Sequence, residues 1–332
     1  VAFATLSRRL RAVRIARTRS ARRMRSFGAP STSAARPTHV RTKSAPRHKS
    51  RSRAAPRAAD DPQAWERFYL THSKDGAKGH DVGAFKDRHY LRKAFGELVD
   101  EEARAAPETF RPALRPSELP DVDETRKIDV LELGCGVGNS VFPLLRANLN
   151  MRVVAVDCSP TAIAAVRANP EFDARRLRTH VVDASARRSM ESCVDDASVD
   201  AVTAVFFLSA LTANGLRNAA EEIRRVLRPN GVLLFRDYAR GDVKNADASS
   251  QFVPGERIDE NASLSSTSNE QTYRRSDGTL AVFFDEDELN DVFASVGLVG
   301  ECEIVTHSIT NRKLGVTMDR KFVQGRFVRL AG

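Results

Sequence analysis

Asp129-Val130-Leu131-Glu132-Leu133-Gly134-Cys135-Gly136-Val137-Gly138-Asn139 is the stretch whose reading decides the fold. An apolar strand runs into a loop with glycine at alternate positions, and Val141, Phe142, Leu144 and Leu145 follow at helical spacing. Strand, glycine turn and helix in that order open a ligand site at the carboxyl end of the first strand of an α/β sheet. Glycine lets the backbone turn tightly and approach a ligand without a Cβ in the way. The spacing Gly-x-Gly-x-Gly differs from the Gly-x-Gly-x-x-Gly of a dinucleotide-binding turn.

Outward from this loop, strand and helix patterns alternate, which implies an α/β, Rossmann-like, doubly wound sheet. Strands are expected at Ile128–Leu133, Arg152–Val156, Thr179–Val182, Val199–Leu208 and Val232–Phe235. Ser159-Pro160 reads as the N-cap and first residue of a helix. Leu216, Ala219, Ala220, Ile223, Val226 and Leu227 mark another, stopped by Pro229-Asn230-Gly231. Ala239–Asn269 is long for a plain connection, so it is either a functional lid or a disordered insertion. Asp277-Gly278 between two strand-like runs predicts a hairpin. Asp285 and Glu288 predict a capping box for a helix closed by Gly297. Two last strands, about Glu301–Ile309 and Lys321–Leu330, follow with no helix between them and should be antiparallel.

The chain has 332 residues and a net charge of +10, unevenly spread. Residues 1–59 hold fifteen Arg and two Lys and no acid, whereas residues 60–332 carry 36 basic against 43 acidic side chains. The first segment is too poor in large apolar residues to fold alone. Leu6, Leu10 and Val13 among arginines fit a transit peptide for mitochondrion or chloroplast. The alternative is a basic tail of a cytoplasmic or nuclear protein. Residues 60–100 form an N-terminal helical cap around Trp65-Glu66-Arg67-Phe68-Tyr69, with Phe85 and Leu91 also packing. Residues 101–126 form a Pro-rich linker, and 127–332 the main domain with an insertion at about 239–270. Cys135, Cys158, Cys193 and Cys302 lack zinc or disulfide spacing, and no metal is expected. No apolar run is long enough to span a bilayer.

Three carboxylates fall at the ends of successive strands: Glu132, Asp157 and Asp183. The second can accept ribose hydroxyls, as in dinucleotide folds, and the third an adenine amino group. With Glu132 two residues before the first glycine, the loop resembles the S-adenosylmethionine (SAM) loop of class I methyltransferases. The ligand expected is SAM, bound by Glu132, Gly134, Gly136, Gly138, Asn139, Asp157, Asp183 and Phe206. NAD is the main competitor, opposed by the glycine spacing and the final antiparallel pair.

Five blocks carry a closer resemblance: Phe85-Lys86-Asp87-Arg88-His89-Tyr90-Leu91, Leu131–Leu145, Phe207-Leu208-Ser209-Ala210, Leu234-Phe235-Arg236-Asp237-Tyr238 and Arg275-Ser276-Asp277-Gly278-Thr279. In this order they resemble the tRNA 3-methylcytidine methyltransferase family. That family usually has two Phe before the Lys and a Trp after the His, where this chain has Ala84-Phe85 and Tyr90. The resemblance implies methylation of N3 of a cytidine in a tRNA anticodon loop. It implies substrate-binding roles for Lys86, Asp87, Arg88 and His89, and places Arg236, Asp237 and Tyr238 at the acceptor base. Asp237 is the candidate to hold the exocyclic amine and stabilise developing charge, its alternative being a structural pair with Arg236 or Arg88. RNA phosphates would meet Lys86, Arg88, Arg92 and Lys93. Some members work with a seryl-tRNA synthetase or another adaptor, which makes such a partner plausible beside tRNA. A methyltransferase acting on a protein or small metabolite, and a non-catalytic subunit keeping the fold, are the alternatives.

Overall fold

The structure is a computed structural model that describes residues 61–72, 86–105, 111–242, 252–257, 271–275, 277–311 and 316–331. The chain divides into Val1–Ala58 and Ala59–Gly332. The transit-like segment 1–59, the Gly-rich interval 74–83, Phe85 and most of the insertion at 239–270 lie outside the described residues.

Seven strands form the main sheet: β1 Ile128–Leu133, β2 Met151–Asp157, β3 Leu177–Val181, β4 Val199–Val205, β5 Leu227–Tyr238, β9 Leu298–Asn311 and β10 Val316–Arg329, in the order β3-β2-β1-β4-β5-β10-β9. Between β5 and β9 in the chain, β6 Phe252–Arg257, β7 Gln271–Arg275 and β8 Leu280–Phe283 make a separate antiparallel sheet. The first five strands are parallel, while β10 runs antiparallel to both β5 and β9. Parallel strands are covered on both faces, so they need continuous apolar runs. Val153–Val156 and Ala201–Val205 supply them and are buried throughout.

Seven α-helices are described: α1 Pro62–His72, α2 Leu91–Ala94, α3 Glu101–Ala105, α4 Val141–Ala147, α5 Pro160–Ala168, α6 Ala213–Val226 and α7 Glu286–Ser295. Ser159 caps α5, accepting from Ala162 N at 3.0 Å, with Pro160 as first residue. Thr212 caps α6 through Gly215 N at 3.1 Å, and Leu216, Ala219, Ala220, Ile223 and Val226 bury one face. The Asp285/Glu288 capping box opens α7, and Gly297, at φ +81°, follows its end. β7 and β8 pair as the hairpin that Asp277-Gly278 foretells, with Gly278 at φ +88°.

Every main-sheet strand but β1 differs from expectation at one end or both, β9 and β10 starting at Leu298 and Val316 rather than about Glu301 and Lys321; three boundaries show a local cause. β4 stops at Val205 rather than Leu208, because Phe206 takes φ +57° and Leu208–Ala210 winds into a 3-10 turn. β5 begins before Pro229-Asn230-Gly231, which forms an irregularity within the strand, with Asn230 at φ +68° and a register shift opposite Val199–Ala201. β5 also continues past Phe235 to Tyr238, because β10 pairs with it that far: Phe322 faces Tyr238 and Val323 faces Asp237.

Phe235, Phe293 and Phe327 lock α7 and β10 onto β5, with ring centroids 4.9 to 6.1 Å apart. Gly325 on β10 makes room for them, since a Cβ there would lie 2.3 Å from the Phe235 ring. Overpacking of this kind typically costs about 1–3 kcal/mol. Gly325→Val is therefore expected to lower the unfolding free energy by that amount, read as a lower denaturant midpoint at unchanged m, and an unchanged midpoint would contradict the packing.

Candidate active site

The carboxyl ends of the five parallel strands open onto one cavity of about 1040 Å³. Its wall takes Gly134 and Gly136 after β1, Asp157 at the end of β2, Asp183 after β3, Phe206 after β4, and Arg236 and Tyr238 at the end of β5. This is where an open α/β sheet presents its ligand site.

Gly134, Gly136 and Gly138 all have positive φ, +61°, +55° and +93°, a region that disfavours a Cβ. Asp157 holds the turn: its Oδ2 accepts from Gly136 N at 2.8 Å and its Oδ1 from Ser159 N at 2.9 Å. Burial pushes the Asp157 carboxyl up to about 6, against the pull of those N–H groups. Asp183 accepts from Ser185 N at 3.0 Å and Ser185 Oγ at 2.6 Å while remaining on the cavity wall. Asn139 is also on the wall.

Two expected cofactor ligands lie behind the wall. Glu132 is 1% exposed and its carboxyl takes the Thr203 hydroxyl beneath the loop. Burial pushes it up to about 7, opposed by the Thr203 hydroxyl and the charge of Arg88. Gly138 packs instead of lining, since a Cβ there would lie 2.4 Å from the Phe142 ring.

The cap contributes more to the wall than a packing reading of Trp65, Phe68 and Tyr69 allows. These three and His72, all on α1, line the cavity. A Cβ on Gly136 would lie 2.7 Å from Tyr69 Oη, so the helix sits directly over the glycine loop. Glu66 fastens it there, accepting from Ser159 Oγ at 2.5 Å, Thr161 Oγ1 at 2.6 Å and Thr161 N at 3.2 Å. Acid between aromatics, Trp-Glu-x-Phe-Tyr, was the available signal.

The other half of the cavity is basic and aromatic. Phe206 lies 5.0 Å from Tyr238 and 5.7 Å from Phe322, ring centre to ring centre. Thus Phe206 belongs to this cluster. The Arg88 guanidinium stands 5.2 Å from the Phe206 ring, Arg275 stands 5.7 Å from Tyr238, and Arg236 stands 4.9 and 4.5 Å from Tyr90 and Phe322. Arg88 also donates to Ser140 Oγ at 2.8 Å, and its backbone N to Asn139 O at 2.8 Å, tying its segment to the glycine loop. His307, Ser308 and Phe322 come from β9 and β10, where sequence offers no functional signal.

Four expected contacts are corrected. Lys86 and Arg88 line the cavity, but Asp87 and His89 do not. Asp87 turns to Arg146 on α4, Oδ2 to Nη1 3.2 Å, while its neighbours Lys86 and Arg88 face the cavity. Arg92 is buried and donates to Ala103 O at 3.0 Å, so it does not face RNA. Asp237 is fully buried off the wall, accepting from Ser209 N at 2.9 Å and Tyr238 N at 2.8 Å. Its structural partners are these backbone groups and the Ser209 side chain, not Arg236 or Arg88. Burial pushes its carboxyl up to about 6. A single register rule explains it: Arg236 and Tyr238 share one face of β5 and Asp237 takes the other.

The residues present fit SAM. Glycine backbone at Gly134 and Gly136 on the cavity wall, acceptors at Asp157 and Asp183 for ribose and adenine, and an acidic surrounding for a cationic ligand lie together. With the strand order and the final antiparallel pair, they define a class I SAM-dependent methyltransferase. The family described as "Methyltransferase domain" matches residues 130–231.

The nearer kinship is narrower. The chain is 35% identical over 277 residues to the Danio rerio tRNA N(3)-cytidine methyltransferase METTL2, covering 79% of this chain and 72% of that protein. It is 33% identical over 264 residues to METTL6 of Mus musculus, a tRNA N(3)-cytidine methyltransferase, with 79% of each covered. It is 30% identical over 272 residues to the Schizosaccharomyces pombe tRNA N(3)-methylcytidine methyltransferase trm141, covering 82% and 93%. The chain belongs to the tRNA N(3)-cytidine methyltransferase family. Among the described residues, no helix is long and apolar enough to cross a membrane.

Two outcomes follow from this geometry. Gly136→Val is expected to abolish SAM binding in calorimetry, because the new side chain collides with Tyr69 and strains a left-handed residue; normal affinity would refute the placement of the cradle. Glu132, raised from 4.5 to about 7, is protonated when folded and ionised when unfolded across that interval. Raising pH from about 4.5 to about 7 therefore lowers its contribution to stability, by up to about 3 kcal/mol. The stability difference between wild type and Glu132→Gln, both without ligand, should fall across that window and level off above it.

Proposed function

We propose that this protein transfers a methyl group from SAM to N3 of a cytidine in the anticodon loop of a tRNA. The observation that carries the acceptor class is the division of the cavity. The acidic half, under α1, suits a cationic cofactor with ribose hydroxyls. The basic half, with Phe206, Tyr238, Tyr90 and Phe322 interleaved by Arg88, Arg236 and Arg275, suits an unstacked nucleotide. Single-stranded RNA loops are read by such stacking on aromatic and guanidinium planes.

The chemistry asks for position more than for a base. SAM, when bound, supplies an electrophilic methyl group. N3 of neutral cytosine already carries an in-plane lone pair, so no side chain has to remove a proton first. Tyr238 and Phe206 offer the base a ring surface, and Lys86 at the rim offers a phosphate contact. Asp237 acts at one remove: it fixes Ser209 and Tyr238, and so the Phe207–Ala210 turn whose Phe207 ring covers Gly134. Holding reactants in attack geometry supplies most of the rate in such reactions.

A seryl-tRNA synthetase or another adaptor is proposed as a partner, because residues 60–332 are net acidic and offer little long-range attraction to RNA. Residues 1–59 are proposed to deliver the protein to a mitochondrion or chloroplast.

The decisive assay is methyl transfer from labelled SAM to total tRNA by the full chain, alone and in cell extract, with the products digested to nucleosides. Labelled 3-methylcytidine is the expected product; label in protein or small metabolites only would overturn the reading. Tyr238→Ala is expected to lower kcat/KM for tRNA about 10- to 100-fold, the worth of one base stack, with SAM affinity unchanged. Equal loss of SAM binding would move Tyr238 to the cofactor half.

A further inference from the structure

Arginines of β5, of the turn after it and of β10 differ in what they meet. Arg240 pairs with Asp285 and Glu288, Arg320 with Asp242, and Arg326 with Glu97. Arg236 is 5% exposed and forms no ion pair among the described residues. Its Nη1 donates to the neutral Gln324 Oε1 at 3.3 Å, and its Nε is buried with no hydrogen-bond partner. The guanidinium is instead held between two rings, 4.9 Å from the centre of Tyr90 and 4.5 Å from that of Phe322.

Burial without a counter-charge disfavours the cation, and it lowers the Arg236 pKa from its ordinary value. The same charge, after burial, helps lower that of His307 nearby. Ring faces offset part of this cost but leave the N–H donors unmatched. The buried Nε is closed to a ligand, but Arg236 also lines the cavity, so the acceptor for the part of its guanidinium that faces the cavity is one that arrives with a ligand.

A nucleotide brings two kinds of acceptor, the carbonyl of its base and the oxygens of its phosphates. Methylation at N3 leaves the cytosine cationic, so a bare guanidinium against the base edge would oppose the charge that develops. A phosphodiester oxygen carries a full negative charge and matches the guanidinium donors. We propose that Arg236 is the binding residue for a phosphodiester flanking the acceptor cytidine, in a subsite walled by Tyr90 and Phe322, while the base takes Phe206 and Tyr238. This rests on the tRNA reading above and adds to it a specific charge contact.

The test is a chemical double-mutant cycle read by RNA affinity. Full-length wild type, Arg236→Gln and Arg236→Lys would be titrated with an anticodon stem-loop RNA. The same RNA would carry a neutral methylphosphonate at the phosphate 5′ or 3′ of the acceptor cytidine. For one of the two positions, neutralisation is expected to weaken wild-type binding about 10- to 100-fold, the worth of a charge-assisted contact. Arg236→Gln should weaken binding of unmodified RNA comparably, and the two changes together should cost no more than either alone. Arg236→Lys should retain part of the affinity and part of the coupling. SAM affinity, measured in parallel, should be unchanged in both variants; where Arg236→Gln loses it, Arg236→Lys carries the cycle. Additive losses at both phosphates, or full affinity in Arg236→Gln, would overturn the subsite and leave the methyltransferase reading standing. Where the wild type binds RNA only with cell extract added, the cycle is read there; failure to bind RNA in both settings, with SAM still bound, would overturn both.

Discussion

The carboxylate of Asp157 at the end of β2 holds the backbone of the glycine loop after β1 through Gly136 N. Three glycines with positive φ in five positions make a loop that would not keep this shape unaided, since glycine adopts many other conformations as readily. The same carboxylate takes Ser159 N, and Ser159 starts α5 and also meets Glu66 of α1. One acid therefore links the glycine loop, the second crossover helix and the cap helix over the cradle. The cavity has walls because these parts share that anchor.

Arg88 makes the seam between the two halves. Its backbone N binds Asn139 O in the loop, and its guanidinium reaches Ser140 Oγ while lying near the Phe206 ring. Asp87, on the opposite side of the segment, is gripped by Arg146, itself bound to Glu171. The stretch thus works as a strap, with Asp87 on the scaffold and Lys86 and Arg88 on the cavity wall. A strap of this kind lets the cofactor loop and the acceptor surface keep a fixed separation, which is what in-line transfer between two ligands demands.

The sheet was legible because the first three parallel strands end in a recognisable chemical punctuation: Gly134 after β1, Asp157 on β2, Asp183 after β3. Helix starts were legible for the same reason, at Ser159-Pro160 and at Asp285/Glu288. Lengths were less so. β5 reads as ending at Phe235, yet Arg236-Asp237-Tyr238 stay extended because β10, some eighty residues on, hydrogen-bonds to them. Pairing over that separation leaves no local mark. The cofactor half of the site was mostly readable, apart from Tyr69 and Trp65, which look like packing residues because on one side they are: Phe68 and Tyr69 bury against Ala162 and Ala165. The acceptor half needed β9 and β10 to bring His307 and Phe322 across, and a long hairpin hides which of its residues meet a distant wall.

Asp237 was misread for a reason that turns out to explain the site. A carboxylate beside the acceptor is attractive on chemical grounds, because the base becomes cationic. The two carboxylates nearest that half are both committed elsewhere: Asp237 to Ser209 N and Tyr238 N, Asp277 to the Thr279 N–H and hydroxyl of the β7–β8 turn. Asp277 stays on the wall beside Arg88, Arg236 and Arg275, so the charge there is net positive, in a place where positive charge on a bare base is least welcome. The arrangement becomes favourable once a polyanion occupies it. Phosphates lining the arginines reverse the local field, leaving the rings to hold the base and the charge formed on it to be met by the nucleic acid's own backbone. An enzyme built for a small neutral acceptor would gain nothing from such a wall, and an RNA enzyme supplies the missing counter-charge with its substrate.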